Sequence, residues 1–384
     1  MPDIADKNKK KSYPAPNPRK TGKRLSPETF DLPVVKMREG YYSDKYFNRA
    51  KEILEKDNYH PQVIMQIFQK NNAVLCGVDE AIAILKQCTG YYNKEGEWIN
   101  GWDKLEVKAL YDADAIAPFE TIMTIKGDYS LFAHLETTYL GVLARRTRVA
   151  TNTKLVVEAA NGKPVLFFPA RFDHHQVQTG DGYAAYITGA LGVSTDAQAS
   201  WWGSKGLGTI PHALIAAYGG DTVLATRKFA EFMPEEISVI ALVDFDNDCV
   251  GTSLACARAL GKKLWGVRLD TSSTMVDKSL WNEMSIYPPT GVNPKLVTRV
   301  REALDRKGFD WVKIVVSGGF KPEKIKLFEE LNIPADVYAV GSALLKGNYD
   351  FTADVVQIRR GDTWTNCAKV GRKYKPNPRL ELVE

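Results

Sequence analysis

The chain has 384 residues, of which 44% are hydrophobic and 25% are charged. This length allows two domains or one large α/β domain with appendages, and the composition is that of an ordinary globular protein. The formal net charge of +5 is concentrated in residues 1–24, where eight Lys and Arg face two Asp, so the rest of the chain carries about −1. Such a body is not the basic platform expected of a nucleic-acid-binding protein.

The sequence also excludes several kinds of site and location. The sequence has no run of about 18 apolar residues, so it predicts no membrane span. The N-terminus lacks the apolar segment of a secretory signal. The five cysteines form no Cys-x-x-Cys pair. They therefore predict neither a disulfide framework nor a zinc site, and we expect a cytoplasmic protein.

The first segment, residues 1–33, is rich in Pro and Lys near its start. Low hydrophobicity and clustered charge are typical of disorder. We predict a disordered basic tail, whose simplest role is to keep the protein in solution. Nucleic-acid binding by this tail is the less favoured alternative.

A small α/β domain is predicted over residues 34–128. Asp44–Lys56 has apolar residues at helical spacing, and residues 106–132 have the pattern of strands separated by Asp- and Gly-containing turns. A strongly helical pattern follows over residues 131–162. The last segment, residues 350–384, returns to a strand-like pattern, and we expect it to complete the N-terminal domain.

Residues 129–349 have a more regular pattern, in which short apolar runs alternate with amphipathic helices. Apolar runs without polar alternation are typical of parallel strands that helices cover. Five such runs favour a closed or nearly closed α/β barrel. The runs are KPVLFF (163–168), ISVIALVDF (237–245), KKLWGVRLD (262–270), WVKIVVSGG (311–319) and ADVYAVGSA (335–343).

Polar residues or glycines stand at the end of every one of these runs. Because the carboxyl ends of barrel strands meet at one face, we expect these residues to form a single site. Two of the endings contain glycine, which is typical of phosphate-binding loops, although ordinary turn glycines are the alternative. The residues concerned are Arg171, Asp244, Arg268, Asp270, Ser317, Gly318, Gly319, Gly341 and Ser342.

Arg268 and Asp270 are two positions apart on a predicted strand, so both side chains point to the same side. The arginine suits an anion and the aspartate suits sugar hydroxyls. A structural salt bridge between the two is the alternative interpretation.

The acidic segment 243–248, Val-Asp-Phe-Asp-Asn-Asp, has a competing interpretation. It is not a calcium loop, because Cys249 and Ala255 stand where that loop needs glycine and glutamate. An aspartyl phosphatase with Asp244 as its nucleophile remains a second possibility. The sequence contains no P-loop, and its Gly-rich stretch at 206–211 does not follow a strand as a dinucleotide-binding motif would.

Taken in order, these motifs resemble those of the nicotinate phosphoribosyltransferases and the related nicotinamide and quinolinate enzymes, over roughly residues 34–384. The helical stretch LETTYLGVL (135–143) is close to the family's Glu-Thr-x-Leu-Gly. The resemblance implies an irregular α/β barrel joined to a small α/β domain, in a homodimer or higher oligomer with shared active sites. It also implies transfer of phosphoribose from phosphoribosyl pyrophosphate to a pyridine nitrogen, with release of pyrophosphate, in NAD biosynthesis or salvage.

The resemblance implies substrate-binding roles for five residues. Ser43-Asp44-Lys45-Tyr46 is similar to the family's Thr-Asp-x-Tyr, whose tyrosine stacks on the pyridine in the neighbouring subunit's site. Phe168-Pro-Ala-Arg171 is similar to Phe-Gly-x-Arg, whose ring covers the other face. Gly-Val-Ser-Thr (192–195) matches the segment that faces the pyridine substituent, where a serine hydroxyl can donate to a carboxylate and so favours nicotinate. The five residues are Tyr46, Phe168, Arg171, Ser194 and Thr209.

The remaining roles concern phosphate chemistry. Gly208-Thr-Ile-Pro-His212 resembles the family's Gly-Thr-x-x-His, whose histidine ATP phosphorylates, and a neutral imidazole is nucleophilic. A hydrogen-bonded core histidine is the alternative. Val-Arg-Leu-Asp-Thr (267–271) is similar to Arg-Leu-Asp-Ser, which implies that Arg268 and Asp270 contact substrate and ribose, with Asp244 as a second carboxylate. The implied 5′-phosphate ligands are Ser317, Gly318, Gly319, Gly341 and Ser342.

ATP as co-substrate and Mg²⁺ as counter-ion of the pyrophosphate follow from the same resemblance, with no residues assigned as a dedicated metal site. The quinolinate enzyme on the same fold is the nearest alternative, and it should need extra cations for a second carboxylate. The nicotinamide enzyme and a nucleotide-binding barrel without turnover are further alternatives.

Overall fold

The computed structural model describes residues 18–384. These form two compact units, one made of Asn152–Lys346 and the other of residues 18–151 together with Gly347–Glu384. Over the described range, the helices lack the combination of length and apolarity that crossing a bilayer requires.

The strands of the described residues are, in chain order, β1 (Gln62–Gln69), β2 (Ala73–Val74), β3 (Gly90–Tyr92), β4 (Trp98–Asn100), β5 (Glu106–Ala109), β6 (Ala115–Ile116), β7 (Met123–Asp128), β8 (Val165–Phe167), β9 (Gly192–Val193), β10 (Val239–Leu242), β11 (Leu264–Leu269), β12 (Lys313–Val316), β13 (Val337–Val340), β14 (Phe351–Arg360), β15 (Thr363–Asn366) and β16 (Glu381–Leu382). The helices are α1 (Pro18–Thr21), α2 (Val34–Arg38), α3 (Lys45–Lys56), α4 (Val78–Cys88), α5 (Glu136–Ala159), α6 (Gln178–Ile187), α7 (Asp196–Ala199), α8 (His212–Ala217), α9 (Thr222–Phe232), α10 (Cys249–Leu260), α11 (Pro294–Arg306) and α12 (Pro322–Glu330).

A six-stranded antiparallel sheet organises the unit that contains residues 18–151, in the order β15-β14-β1-β7-β5-β16. Alternate residues of β1, namely Val63, Met65 and Ile67, are buried in a core that includes residues of α4 and α5. β14 pairs with β1, and β16 pairs with β5. The C-terminal segment therefore rejoins the N-terminal domain, as expected.

Residues 18–33 are held by ion pairs to the folded domain. The prediction of a disordered tail over residues 1–33 is therefore wrong for this part of the segment. Arg19 donates from Nε and Nη2 to Asp114 at 2.8 and 2.7 Å, and Arg24 donates to Asp79 at 2.9 Å. Asp114 and Asp79 are both buried, so each carboxylate needs positive charge beside it; Asp79 has it from Arg24, and Asp114 has it from Arg19 and also from Arg379 at 3.5 Å. These basic residues stabilise a folded unit. Residues 1–17 of the predicted tail lie outside the described residues.

A six-stranded parallel sheet organises the other unit, in the order β10-β11-β12-β13-β8-β9. Five of its strands are the predicted apolar runs. The sixth, β9, pairs with β8 but is only two residues long, too short to give an apolar run. Helices α10, α11 and α12 follow β10, β11 and β12 in the chain. The prediction of an irregular α/β barrel is confirmed.

One apolar cluster inside this unit joins residues of several strands. It contains Leu166 of β8, Ile240 of β10, Val315 of β12, and Val337 and Ala339 of β13. The continuous apolar character of these runs follows from burial on both faces of a parallel sheet. This packing fixes the strands relative to one another, and with them the loops at their carboxyl ends.

Side-chain caps fix the start of two helices in this unit. Asp248 accepts the N–H of Gly251 at 2.9 Å where α10 begins, and Asn293 accepts the N–H of Leu296 at 3.1 Å where α11 begins. Such caps satisfy N–H groups that have no partner within the helix. Asp248, the last residue of the acidic segment 243–248, is therefore a helix cap.

Candidate active site

The carboxyl ends of four strands lie side by side, because β10, β11, β12 and β13 are parallel neighbours. Asp244 comes two residues after β10. Arg268 lies near the end of β11 and Asp270 directly follows it. Ser317 and Gly341 directly follow β12 and β13. The strand register thus brings these predicted site residues to one edge of the sheet.

Arg268 connects three segments of the chain. Its Nε donates to Ser317 Oγ at 2.9 Å, its Nη1 to Thr209 Oγ1 at 3.1 Å and its Nη2 to Asp270 Oδ2 at 3.1 Å. The guanidinium carbon also lies 5.8 Å from the centre of the Phe168 ring. A guanidinium has five N–H groups, so this network leaves two of them for a ligand.

Ser317 links the arginine to the carboxylate. Its Oγ accepts from Arg268 and has two acceptors for its own proton, Asp270 Oδ1 at 2.7 Å and the carbonyl oxygen of Leu269 at 3.1 Å, of which the carboxylate is the nearer and the charged one. Asp270 therefore has one oxygen on the serine and the other on the arginine. The salt bridge considered from the sequence is formed, but both side chains keep about a fifth of their surface exposed, at 18% and 22%. The pair can therefore still contact a ligand.

His212 is the first residue of α8 and faces the end of β10. Its Nε2 lies 3.1 Å from both Oδ1 and Oδ2 of Asp244. Because an ionised carboxylate only accepts hydrogen bonds, Nε2 carries the proton and Nδ1 keeps its lone pair in the neutral ring. The His212 side chain is 46% exposed, which does not fit the alternative of a buried core histidine.

Asp244 itself is buried. Its burial raises the pKa of the carboxyl above the ordinary value for aspartate. The positive charge that His212 carries when protonated and its hydrogen bond oppose the rise, and the negative charge of Asp270 adds to it. The ionisation of this carboxylate therefore depends on the charge at His212.

Two loops that contain glycine complete this edge. Gly318 and Gly319 have φ angles of +80° and +71°, which side chains disfavour. A Cβ on Gly341 would lie 2.7 Å from Phe172 Cε2. Ser342, the next residue, begins a short 3₁₀ helix. Bare backbone followed by the start of α12 provides N–H groups of the kind that bind phosphate.

Lys324 is a residue of this region that the sequence analysis missed. It lies in the first turn of α12, where its Nζ donates to the carbonyl oxygen of Gly318 at 3.4 Å. A single lysine in an amphipathic helix has the pattern of a surface residue. Its position five residues after Gly319 is the only signal that the sequence offered.

Three predicted substrate-binding residues, Arg171, Tyr46 and Ser194, lie outside the Arg268 network. Arg171 is in the 3₁₀ helix Ala170–Phe172, with its guanidinium carbon 5.4 Å from the centre of the Phe172 ring. Tyr46 lies on α3, in the other unit. Their roles stay predictions.

Ser194 makes contacts that bear on its predicted role. Its hydroxyl lies 3.0 Å from Gln198 Oε1, and the same oxygen accepts the backbone N–H groups of Ser194 and Thr195 at 3.0 and 3.2 Å. These N–H groups identify that atom as the amide oxygen, so the hydroxyl is the donor. A hydrogen bond from Ser194 to a nicotinate carboxylate therefore requires the hydroxyl to turn away from Gln198.

Metal ligands are sparse here. Over residues 18–384, no three His, Cys, Asp or Glu side chains are grouped so that they could hold a metal ion. Mg²⁺ commonly binds one or two carboxylates together with substrate phosphates and water. Asp244 and Asp270 fit that mode, in which the substrate supplies most of the ligands.

The fold and these contacts define a class, the α/β-barrel proteins that gather charged and hydroxyl side chains at the carboxyl ends of their parallel strands. A family model described as quinolinate phosphoribosyl transferase, N-terminal domain, matches residues 44–147. The crystal structure of nicotinate-nucleotide pyrophosphorylase from Pyrococcus furiosus aligns with a TM-score of 0.75 and 32% identity, over 92% of this chain and 85% of that one. The chain belongs to the nicotinate and quinolinate phosphoribosyltransferase family.

Two further proteins are similar to this chain at lower sequence identity. Nicotinate phosphoribosyltransferase PncB1 of Mycobacterium tuberculosis is 28% identical over 256 residues, which are 65% of this chain and 52% of the relative. The chain thus spans about half the length of the curated relatives it matches. Human nicotinic acid phosphoribosyltransferase shares the fold, with a TM-score of 0.59 at 14% identity, over 83% of this chain and 75% of that one.

Proposed function

We propose that this protein transfers phosphoribose from phosphoribosyl pyrophosphate to nicotinate, giving nicotinate mononucleotide and pyrophosphate in cytoplasmic NAD biosynthesis or salvage. One observation carries the proposal: Arg268 hydrogen-bonds Thr209, Asp270 and Ser317, and so holds together the segments that the family resemblance assigns to the substrates. The relatives that are named nicotinate phosphoribosyltransferases support the same activity.

In this reaction the pyridine nitrogen attacks the anomeric carbon of the ribose. The new C–N bond forms as the bond from that carbon to pyrophosphate breaks, and the electron pair leaves with pyrophosphate. No covalent bond to the protein is needed, so the protein contributes positioning and charge stabilisation. The two remaining N–H groups of Arg268 bind anionic oxygen, and Asp244 and Asp270 accept hydrogen bonds from ribose hydroxyls. Mg²⁺ carried by the pyrophosphate would add positive charge at the leaving group.

We propose that a homodimer completes the site, with Tyr46 of one subunit and Phe168 of the other stacking on the two faces of the pyridine. The surface of α3 supports this. The helix buries none of its residues, and its apolar side chains Tyr46 and Ile53 are 61% and 64% exposed. Tyr41, just before the helix, is equally exposed. Tyr46 and Ile53 are seven positions apart and so share one face of α3, and exposed apolar side chains on one face are typical of a surface that another protein covers.

We further propose that His212 couples the transfer to ATP. Nδ1 attacks the γ-phosphorus, the bond between that phosphorus and the bridging oxygen of ADP breaks, and a phosphohistidine forms. Water later cleaves the P–N bond, which returns free His212 and phosphate. Asp244 supports this role in two ways. It binds the Nε2 proton, which leaves the lone pair on Nδ1, the nitrogen on the side of the ring away from Asp244, and it stabilises the positive charge that the ring acquires.

The quinolinate enzyme remains the second candidate. The family model that matches residues 44–147 carries that name, and Ser194 offers no free hydroxyl proton that would favour nicotinate. The nicotinamide enzyme and a nucleotide-binding barrel without turnover are weaker candidates, because no contact within the described residues favours either.

A substrate panel distinguishes these candidates. Pyrophosphate release is measured with phosphoribosyl pyrophosphate and either nicotinate, nicotinamide or quinolinate, with and without ATP. We expect release with nicotinate, increased by ATP. Release with quinolinate alone would replace the proposed substrate. Tight binding of nicotinate without any release would indicate a barrel that has lost turnover.

A further inference from the structure

The ammonium group of Lys324 lies against the loop that follows β12. Its Nζ donates to the carbonyl oxygen of Gly318, at 3.4 Å, and lies 4.2 Å from the centre of the Phe320 ring. Both contacts hold the side chain over the bare backbone of Gly318 and Gly319 rather than out in solvent. The lysine is thus placed where a phosphate bound by this loop would meet a positive charge.

No carboxylate forms an ion pair with Lys324 in the part of the chain that the structure describes, although nearby lysines have such partners. Lys321 pairs with Glu323 at 3.9 Å and Lys326 pairs with Glu330 at 3.8 Å. The carboxylate next to Gly318 is that of Asp270, whose Oδ1 would lie 3.4 Å from a Cβ on this glycine. Asp270 is already paired with Arg268. Burial alone lowers the pKa of Lys324 to about 8.

A half-buried ammonium without a counter-charge is unfavourable in the free protein, and a bound anion would remove that cost. Lysine binds phosphate as a compact point charge, and the N–H groups of a glycine loop and a helix start provide directional hydrogen bonds. The ammonium group and the backbone N–H groups can therefore bind the oxygen atoms of the same phosphate.

We propose that Lys324 binds the 5′-phosphate of phosphoribosyl pyrophosphate, together with the backbone of Ser317, Gly318 and Gly319. This assignment rests on the proposed function. The lysine is a substrate-binding residue and takes no part in the bond changes. Because the bound dianion stabilises the ammonium form, binding takes up a proton at a pH near or above the pKa of the free lysine.

Calorimetry of phosphoribosyl pyrophosphate binding, without a pyridine, tests this. We expect K324M to weaken binding by about 10- to 100-fold, the loss of one charge-assisted hydrogen bond, while the KM for nicotinate stays unchanged. K326M, on the same helix, is the control and should bind as the wild type does. A K324M variant with wild-type affinity would overturn the assignment.

K324R provides a second readout that does not depend on loss of affinity. In the wild type, affinity should fall by about tenfold at one pH unit above the lysine pKa, and K324R should lack this fall because arginine stays protonated. The same alkaline fall in K324R would overturn the assignment. If the wild type neither binds phosphoribosyl pyrophosphate nor releases pyrophosphate, the proposed function fails, and the assignment of Lys324 fails with it.

Discussion

Nε2 of His212 and the carboxylate of Asp244 meet at 3.1 Å, so the orientation of a half-exposed imidazole is fixed by a buried acid at a strand end. The Arg268 network, by contrast, contains no histidine. The charge of Asp270 acts on Asp244, and both carboxylates are assigned to the ribose hydroxyls, but His212 makes no contact with the Arg268 network. Phosphate transfer from ATP and phosphoribose transfer to the pyridine should therefore be separable by a substitution at His212.

Substitution H212N should abolish phosphohistidine formation and ATP use while leaving some phosphoribose transfer. Asparagine has no nucleophilic nitrogen, whereas the Arg268 network does not depend on position 212. ATP hydrolysis and pyrophosphate release, measured in parallel, check this. H174N, which changes an exposed loop histidine, should leave both unchanged. Complete loss of transfer in a folded H212N variant would rule out a role confined to coupling.

D244N should lower the yield of phosphohistidine by about 10- to 100-fold, because an amide stabilises the charged ring less than a carboxylate does. Falling pH should act in the same direction. Because burial raises the pKa of Asp244, the carboxyl takes up its proton at a higher pH than an ordinary aspartate does, and it then no longer holds the ring as an anion. ³¹P NMR across a pH series checks this, with D246N as an exposed control.

The outcome of D244N also tests the phosphatase interpretation. Hydrolysis of a simple phosphate ester by the wild type, abolished in D244N, would favour an aspartyl nucleophile over the proposed coupling role.

G319A and G308A form a matched pair. Their φ angles are +71° and +72°, and a Cβ at either position meets open space. Each substitution should therefore cost a similar free energy of unfolding, about 1 kcal/mol. We expect only G319A to weaken phosphoribosyl pyrophosphate binding as well, because only it lies in the phosphate loop. Equal affinity in the two variants would remove Gly319 from the site.

The sequence predicted the barrel because its strands are apolar runs, and it predicted the strand-end residues because parallel strands bring those ends together. Other features depended on tertiary contacts that no local pattern records. β9 is two residues long, Lys324 has the pattern of a surface lysine, and the hydroxyl of Ser194 is engaged by Gln198.

Residues 18–33 show the same limit. Charge and low hydrophobicity indicated disorder, but Arg24 pairs with Asp79, which is 55 positions away and 2% exposed. R24A should lower the free energy of unfolding by about 3 kcal/mol, because it leaves a buried carboxylate without its counter-charge. Urea unfolding measures this, with the exposed K23A as control. If R24A is as stable as K23A, the ion pair between Arg24 and Asp79 does not stabilise the fold.

The most direct test of the account is the rate of nicotinate mononucleotide formation from nicotinate and phosphoribosyl pyrophosphate, compared between wild type, R268K and R258K. Lysine keeps the charge of Arg268, but its three N–H groups are on one nitrogen and cannot replace the three guanidinium nitrogens that contact Ser317, Thr209 and Asp270. We expect kcat/KM to fall by about 100-fold in R268K and to stay unchanged in R258K, which alters an exposed arginine of α10. No product from the folded wild type, or equal rates in R268K and R258K, would contradict the account.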